Sequence, residues 1–350
     1  MNEERTTSRR RFLGTAAGAT GVALAAAAWR PAQAAAAIPD TGRGVESPTA
    51  VERTFRAGVF QLNLDRVDAG LLKAQDGGDA YAEVINEETG ATTFTKKHIG
   101  APKYDDFTIR FGFGMNKAIY DWISASWKMN FTRKDGSIVT AGINSQAVSE
   151  REFFNALITE TGIPACDASS KEAGYLTLNF APEYTRDKKA SGAVTSSTKQ
   201  KLWLASNFKL ELGTLDTTRI NKIDAFTIKQ SIVTNDIGGE RDFQREPGKI
   251  EFPNLKISLA TSSIASWQTW FDDFVIRGNT TDANEKSGRL VFLSADHKTE
   301  LAEIKLFNVG VYRLDPDPED PSSADQIQRA HVELYVERME LNIPPSPVIT

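Results

Sequence analysis

The sequence predicts a mainly β chain of two tandem antiparallel β-barrel or sandwich domains, each with one flanking amphipathic helix. Three observations carry this. Phe60-Gln61-Leu62-Asn63-Leu64 and the following Val67-Asp68 return 148 positions later as Phe208-Lys209-Leu210-Glu211-Leu212 and Leu215-Asp216, and both stretches alternate as half-buried strands do. At the same offset Ile119, Trp122 and Ile123 are matched by Trp267, Trp270 and Phe271, the i, i+3, i+4 stripe of a helix with one buried face. Phe154-Asn155 then recurs as Phe307-Asn308, 153 positions on, each pair leading through a proline-bearing loop to a closing strand.

Taken in order, residues 1–34 read as an address. Ser8-Arg9-Arg10-Arg11-Phe12-Leu13 precedes an Ala/Gly-rich stretch from Gly14 to Ala28, and Ala32-Gln33-Ala34 supplies a small-x-small cleavage site. That stretch is shorter than the ~20 apolar residues a spanning helix needs. Ser8, Arg9, Arg10, Phe12 and Leu13 resemble the twin-arginine (Tat) export signal. The resemblance implies handling by the Tat machinery, cleavage after Ala34, a periplasmic or extracellular destination and no stable membrane insertion afterwards. Residues 35–54, with Pro39, Gly42, Gly44 and Pro48, are a flexible lead-in.

The first domain is expected over 55–186 and the second over 207–343, with 344–350 as a tail. Each opens on the alternating strand and passes through a long loop or hairpin, near 70–100 and 217–250. Phe107, Ile109 and Phe111 match Leu255, Ile257 and Leu259 as a second strand. Asn116 and the run Thr261-Ser262-Ser263 offer N-caps to the two helices. Trp122, Trp127, Trp267 and Trp270 are expected to anchor the helices on the sheets. Glycine turns at Gly136 and Gly288 lead into further strands, and the closing strands run from Tyr175 to Phe180 and from Ala330 to Val336. Residues 187–206, rich in Lys, Ser, Thr and Gly, read as a linker.

This unit resembles the tail tube protein family of contractile phages and related injection systems. The resemblance rests on the Phe-x-Leu opening strand with its acidic end, the hairpin region from Gly238-Gly239 to Pro247-Gly248, and the Trp-bearing helix. It rests above all on the closing half: Phe154-Asn155, Pro164 and Ala168-Ser169-Ser170, and again Phe307-Asn308 and Pro321-Ser322-Ser323-Ala324. It implies a barrel with a flanking helix, subunits joined edge to edge into rings, and a non-enzymatic structural role as a homo-oligomer. An export signal and a duplicated unit both depart from the usual form of that family.

Composition and chemistry exclude other classes. The formal net charge is −5; residues 1–34 hold five Arg and two Glu, a net +3, so the remainder carries −5 − 3 = −8. That argues against nucleic acid as a partner. A lone Cys166 allows no internal disulfide, and leaves a structural thiol or an intermolecular pair. His98, His297 and His331 are scattered. Phosphate loops, nucleophile elbows and zinc-protease motifs are missing from the sequence, and Gly112 and Gly114 read as turn glycines. Asp315-Pro316-Asp317-Pro318-Glu319-Asp320 reads as a solvated loop without the glycine of a calcium loop. His331 and Glu333 share one face of the last strand near Glu337. Asp272-Asp273, Glu150 and Glu152 read as solvated charge. No cofactor, metal or catalytic residue is expected. The alternative is an exported monomeric binding module for a glycan or protein, with Tyr81, Phe94 and Tyr104 as candidates. A cofactor-loaded enzyme is motivated by the export signal alone.

Overall fold

The computed structural model describes residues 57–88, 90, 94–195, 203–236, 241–317 and 327–344, which belong to one compact unit, Thr54–Thr350. The export motif (Ser8, Arg9, Arg10, Phe12, Leu13), the cleavage site at Ala32 and Ala34, and Pro318 to Ala324 lie outside the described residues.

The chain is mainly β with a curled half-barrel sheet. The strands of the first half are β1 (Ala57–Leu64), β2 (Val67–Leu72), β3 (Ala74–Asp76), β4 (Ala80–Glu87), β5 (Lys96–Tyr104) and β6 (Phe107–Phe111). After helix α1 (Lys117–Trp127) come β7 (Lys134–Gly142), β8 (Ala147–Ile163), β9 (Cys166–Asp167), β10 (Leu176–Ala181) and β11 (Tyr184–Lys189). The second half holds β12 (Phe208–Leu212), β13 (Ile220–Ile223), β14 (Phe226–Asn235), β15 (Gln244–Glu251) and β16 (Leu255–Ala260). Helix α2 (Ile264–Phe271), β17 (Lys286–Leu293), β18 (Glu300–Pro316) and β19 (Arg329–Asn342) complete it.

One sheet runs β2-β1-β7-β8-β10-β6-β3 and the other β12-β17-β18-β19-β16-β13-β9. Register repeats along with order. Ala74 pairs Arg110 and Gln75 pairs Ile109; 148 positions on, Lys222 pairs Ser258 and Ile223 pairs Ile257. Leu62 faces Ile138 as Leu210 faces Leu290, and Leu178 faces Ile109 as Val332 faces Ile257. Neither path closes on itself among the described residues, so the sheets are open, not complete barrels.

The alternating pattern has its expected cause. Leu62, Leu64, Phe107, Ile109 and Phe111 are buried, as are Leu210, Leu212, Leu255, Ile257 and Leu259, while their neighbours reach outward. Asp68 and Asp216, which close the opening motifs, bend the chain by accepting from the amides of Gly70 (2.9 Å) and Thr218 (3.1 Å). The Phe-Asn pairs mark bulges in the two longest strands. Asn155 has φ 51° and Asn308 φ 52°, a left-handed conformation that asparagine tolerates better than most residues. Register slips there in both β7–β8 and β17–β18. Each asparagine amide is held by a carboxylate, Glu183 at 2.6 Å and Glu285 at 2.8 Å. Gly136 is required by close approach, since a Cβ there would lie 2.3 Å from the Asn63 carbonyl oxygen.

Both helices lay their tryptophans on the core. Trp122, Trp127, Trp267 and Trp270 are buried, and the Trp122 and Trp267 indoles donate to the carbonyls of Thr132 (2.8 Å) and Asp216 (2.9 Å). Asn116 caps α1, its side chain accepting from the Ala118 amide at 3.1 Å. The second helix differs from expectation in two ways. Thr261–Ser263 form a 3-10 turn, and Ser263 at the N-cap position makes no side-chain capping bond. Asp272 and Asp273 do not end the helix, which continues as a π-helical turn, Asp272–Ile276. There Asp272 accepts from Gln268 and Asp273 from Asn279, so local donors offset the unfavourable dipole. The expected linker is partly built into the fold. Asp187 to Lys189 finish β11 against β8, and Trp203 and Ala205 are buried.

Candidate assembly edges

The two regions expected as a long loop or hairpin are both β-hairpins, and the structure treats them differently. Their internal register agrees: Tyr81 pairs Lys103 and Val84 pairs Ile99, as Lys229 pairs Glu251 and Ile232 pairs Pro247. The β14–β15 hairpin continues the first sheet. Its strand β14 pairs with the distal end of β8, Thr227 facing Gly162, Ile228 facing Thr161 and Lys229 facing Glu160. In return β9, from the first half, pairs with β13 at the edge of the second sheet. The halves are thus joined by exchanged strands.

Polar and charged side chains fix this joint. Arg245 on β15 keeps a largely buried guanidinium, which donates to Asp106 at 2.7 Å and to the Tyr104 carbonyl at 3.2 Å. The Arg245 amide donates to Glu183 at 3.0 Å, and Arg133 donates to Glu246 at 2.9 Å. Asp242 accepts from the Tyr104 hydroxyl at 2.7 Å and from Arg186 at 3.1 Å. Burial, then that bond to Asp242, raises the Tyr104 pKa above the ordinary tyrosine value. Beneath the joint the buried Ser126 hydroxyl donates to Gln230 at 2.6 Å, and the Trp127 indole reaches Thr161 at 3.3 Å.

The β4–β5 hairpin makes a separate two-stranded sheet. All eight residues of β4 are exposed. Tyr81, Val84, Ile85, Phe94 and Ile99 are large apolar residues open to solvent, with Ile99 at 73% and Phe94 at 98%. Such a cluster on an unpaired edge is a template for another chain. A second open edge lies on β18. Strand β17 covers it only as far as Val309, so Arg313 to Pro316 are paired on the β19 side and free on the other among the described residues.

The remaining sequence candidates do not converge. Tyr104 is buried in the joint, so the expected aromatic trio with Tyr81 and Phe94 is not a single exposed surface. His331 contacts Asp317 (2.9 Å) and Ser258 (2.9 Å), whereas Glu333 accepts from Tyr312 (2.6 Å) and neighbours Lys256 and Arg313. These ties to separate partners leave no His–Glu acid–base pair. Asp315 pairs with Arg313, and Glu152 with Lys188. Among the described residues no group of His, Cys, Asp and Glu is arranged to hold a metal. Cys166 is 1% exposed, and burial pushes its thiol up to about 12, which closes the intermolecular-disulfide reading. A polar cleft of about 560 Å³ over the joint, between Asp106, Asn179, Lys229 and Glu251, has no histidine or cysteine in its lining. No described helix is long and apolar enough to cross a membrane.

Sequence reading missed Arg245, Asp242, Glu183 and Trp203. The signal for Trp203 was present, as a tryptophan standing in a Lys/Ser/Thr-rich stretch. For the others the 148-residue offset places the hairpins but not their docking.

Comparison with known proteins gives one family match. Residues 56–186 match the family described as T4-like virus tail tube protein gp19. No curated protein matches the chain. Solved structures similar to part of it include the tube-terminating cap of the anti-feeding prophage (20% identity, TM-score 0.36, covering 42% of this chain and 98% of that one). Two others come from an extracellular contractile injection system, PVC. They are its sheath–tube complex (19%, 0.36, 40% and 95%) and its sheath/tube terminator (20%, 0.33, 41% and 99%).

Proposed function

We propose that this chain is a non-enzymatic structural protein that assembles with its own copies into rings or tubes, as a tail-tube-like subunit built from a duplicated unit. The match over residues 56–186 carries the reading. The second half supports it by repeating the strand order and register of the matched half. Two such units in one chain would close a ring of six domains with three copies, through one heterologous interface repeated by rotation. The Arg9-Arg10 motif supports export through the Tat pathway before assembly, to a periplasmic or extracellular site.

Sedimentation of the full chain over a rising concentration series tests this. Species larger than one chain are expected to grow in with concentration. A single-chain species at every concentration would remove the proposal.

A further inference from the structure

We infer that the first half binds an acidic saccharide in the hollow beside Arg110, with the sugar's carboxylate held by Arg110 and Lys73. The inference does not rest on the tube reading. It comes from a place where the two halves share a register but differ in chemistry. Gly162 faces Thr177 and Thr177 faces Arg110, as Asp315 faces His331 and His331 faces Ser258. Further along the same strand direction, Pro164 stands where the second half has Asp317, 153 positions on.

In the second half this place is satisfied from within. The His331 imidazole meets the Asp317 carboxylate at 2.9 Å and the Ser258 hydroxyl at 2.9 Å, and Asp315 pairs with Arg313. In the first half both carboxylates are gone, and a permanent cation, Arg110, replaces Ser258. Lys73 lies beside it, its amide donating to the Arg110 carbonyl at 2.8 Å. Both side chains are exposed, and neither makes an ion pair among the described residues. The Tyr175 ring, 5.8 Å from the guanidinium and 5.9 Å from the ammonium, draws the two cations together.

Space and lining select the ligand. Without a side chain at Gly162, the line from Thr227 to Thr177 and Arg110 opens into a hollow of about 290 Å³. Two cations that lack a carboxylate call for one, as the second half supplies with Asp315 and Asp317. The rest of the lining calls for hydroxyls. Asn179 donates to Glu160 at 3.1 Å, but its own Oδ1 is buried and accepts from nothing, an unmet acceptor that a ligand hydroxyl can satisfy. The Thr177 and Thr227 hydroxyls can donate or accept, and Pro164 and Ala225 offer an apolar wall to the carbon face of a sugar. A uronic acid carries one carboxylate, several hydroxyls and an apolar face on a single ring. Asn179 and Glu160 also line the polar cleft over the joint, where Lys249 has no ion pair among the described residues. The site therefore continues toward a second acidic sugar, which makes a short oligomer the ligand.

Isothermal titration of the full chain with trigalacturonate tests the site. Saturable binding of one trisaccharide per chain is expected, because the second half fills its own counterpart. Arg110→Ser, which supplies the second half's residue, is expected to weaken binding about tenfold to a hundredfold, the range for losing a hydrogen bond to a charged group. Lys73→Asn, which supplies the counterpart residue Asn221, is expected to weaken it in the same direction. Both residues are exposed, so folding is spared. Neutral maltotriose and the acidic peptide triglutamate are expected to bind at least about tenfold more weakly than trigalacturonate. No saturation at millimolar trigalacturonate, or an affinity unchanged by both variants, would overturn the site. Equal binding of maltotriose would overturn the role of the cations, and equal or tighter binding of triglutamate would overturn the saccharide in favour of an acidic peptide.

Discussion

Trp203→Ala is expected to lower the free energy of unfolding by about 3–5 kcal/mol, the range for truncating a buried aromatic. The residue is 1% exposed and lies where the chain passes from one half to the other. Its ring meets Phe113 of the first half at 5.6 Å and Phe292 of the second at 5.0 Å, both edge to face. The indole donates to the Asn207 carbonyl at 2.9 Å, and the ring lies against Gly174, where an added Cβ would come within 1.8 Å of it. Truncation leaves a cavity between the halves and removes these four contacts together. Chemical denaturation measures the loss, and a shift below about 1 kcal/mol, the average cost of a point substitution, would show that Trp203 is not a keystone of the packing.

The second large effect is on assembly and not on folding. Val84→Lys combined with Ile99→Lys puts two charges on a facing pair of the free hairpin. Both sites are exposed in the single chain, so unfolding should move by no more than about 0.5 kcal/mol. If the proposed assembly uses this exposed apolar surface, charge placed there is buried unpaired on assembly, which is costly. The variant is expected to sediment as single chains at concentrations where the parent assembles. Unchanged assembly would move the contact away from β4–β5, whereas a matching loss of stability would make the hairpin part of the core.

Much of the fold is legible in the residues because burial writes a period into them. The opening strands, the Trp-bearing helices and the closing strands stand where alternation and the i, i+3, i+4 stripe put them. The Phe-Asn pairs were visible as a recurrence, but only φ values of 51° and 52° explain why asparagine is used. The docking of the hairpins was not legible. The sequence of β14 reads as a strand whether it lies on β8, on another copy or in solvent, since an edge pairing is made by backbone groups common to all residues. Likewise Tyr104 looked like a surface aromatic until Asp242 and Arg186, distant in sequence, closed over its hydroxyl.

The difference between the hairpins is the feature with the largest consequence. One is consumed in joining the halves, and the other is left as a separate two-stranded sheet with Val84, Ile85 and Ile99 in water.

Negative-stain electron microscopy of the concentrated full chain at physiological salt tests the central claim most directly. Rings with three-fold or pseudo-six-fold symmetry, alone or stacked into tubes, are the predicted result. A uniform field of particles the size of one chain would contradict it, and the exposed hairpin would then need a partner of another kind.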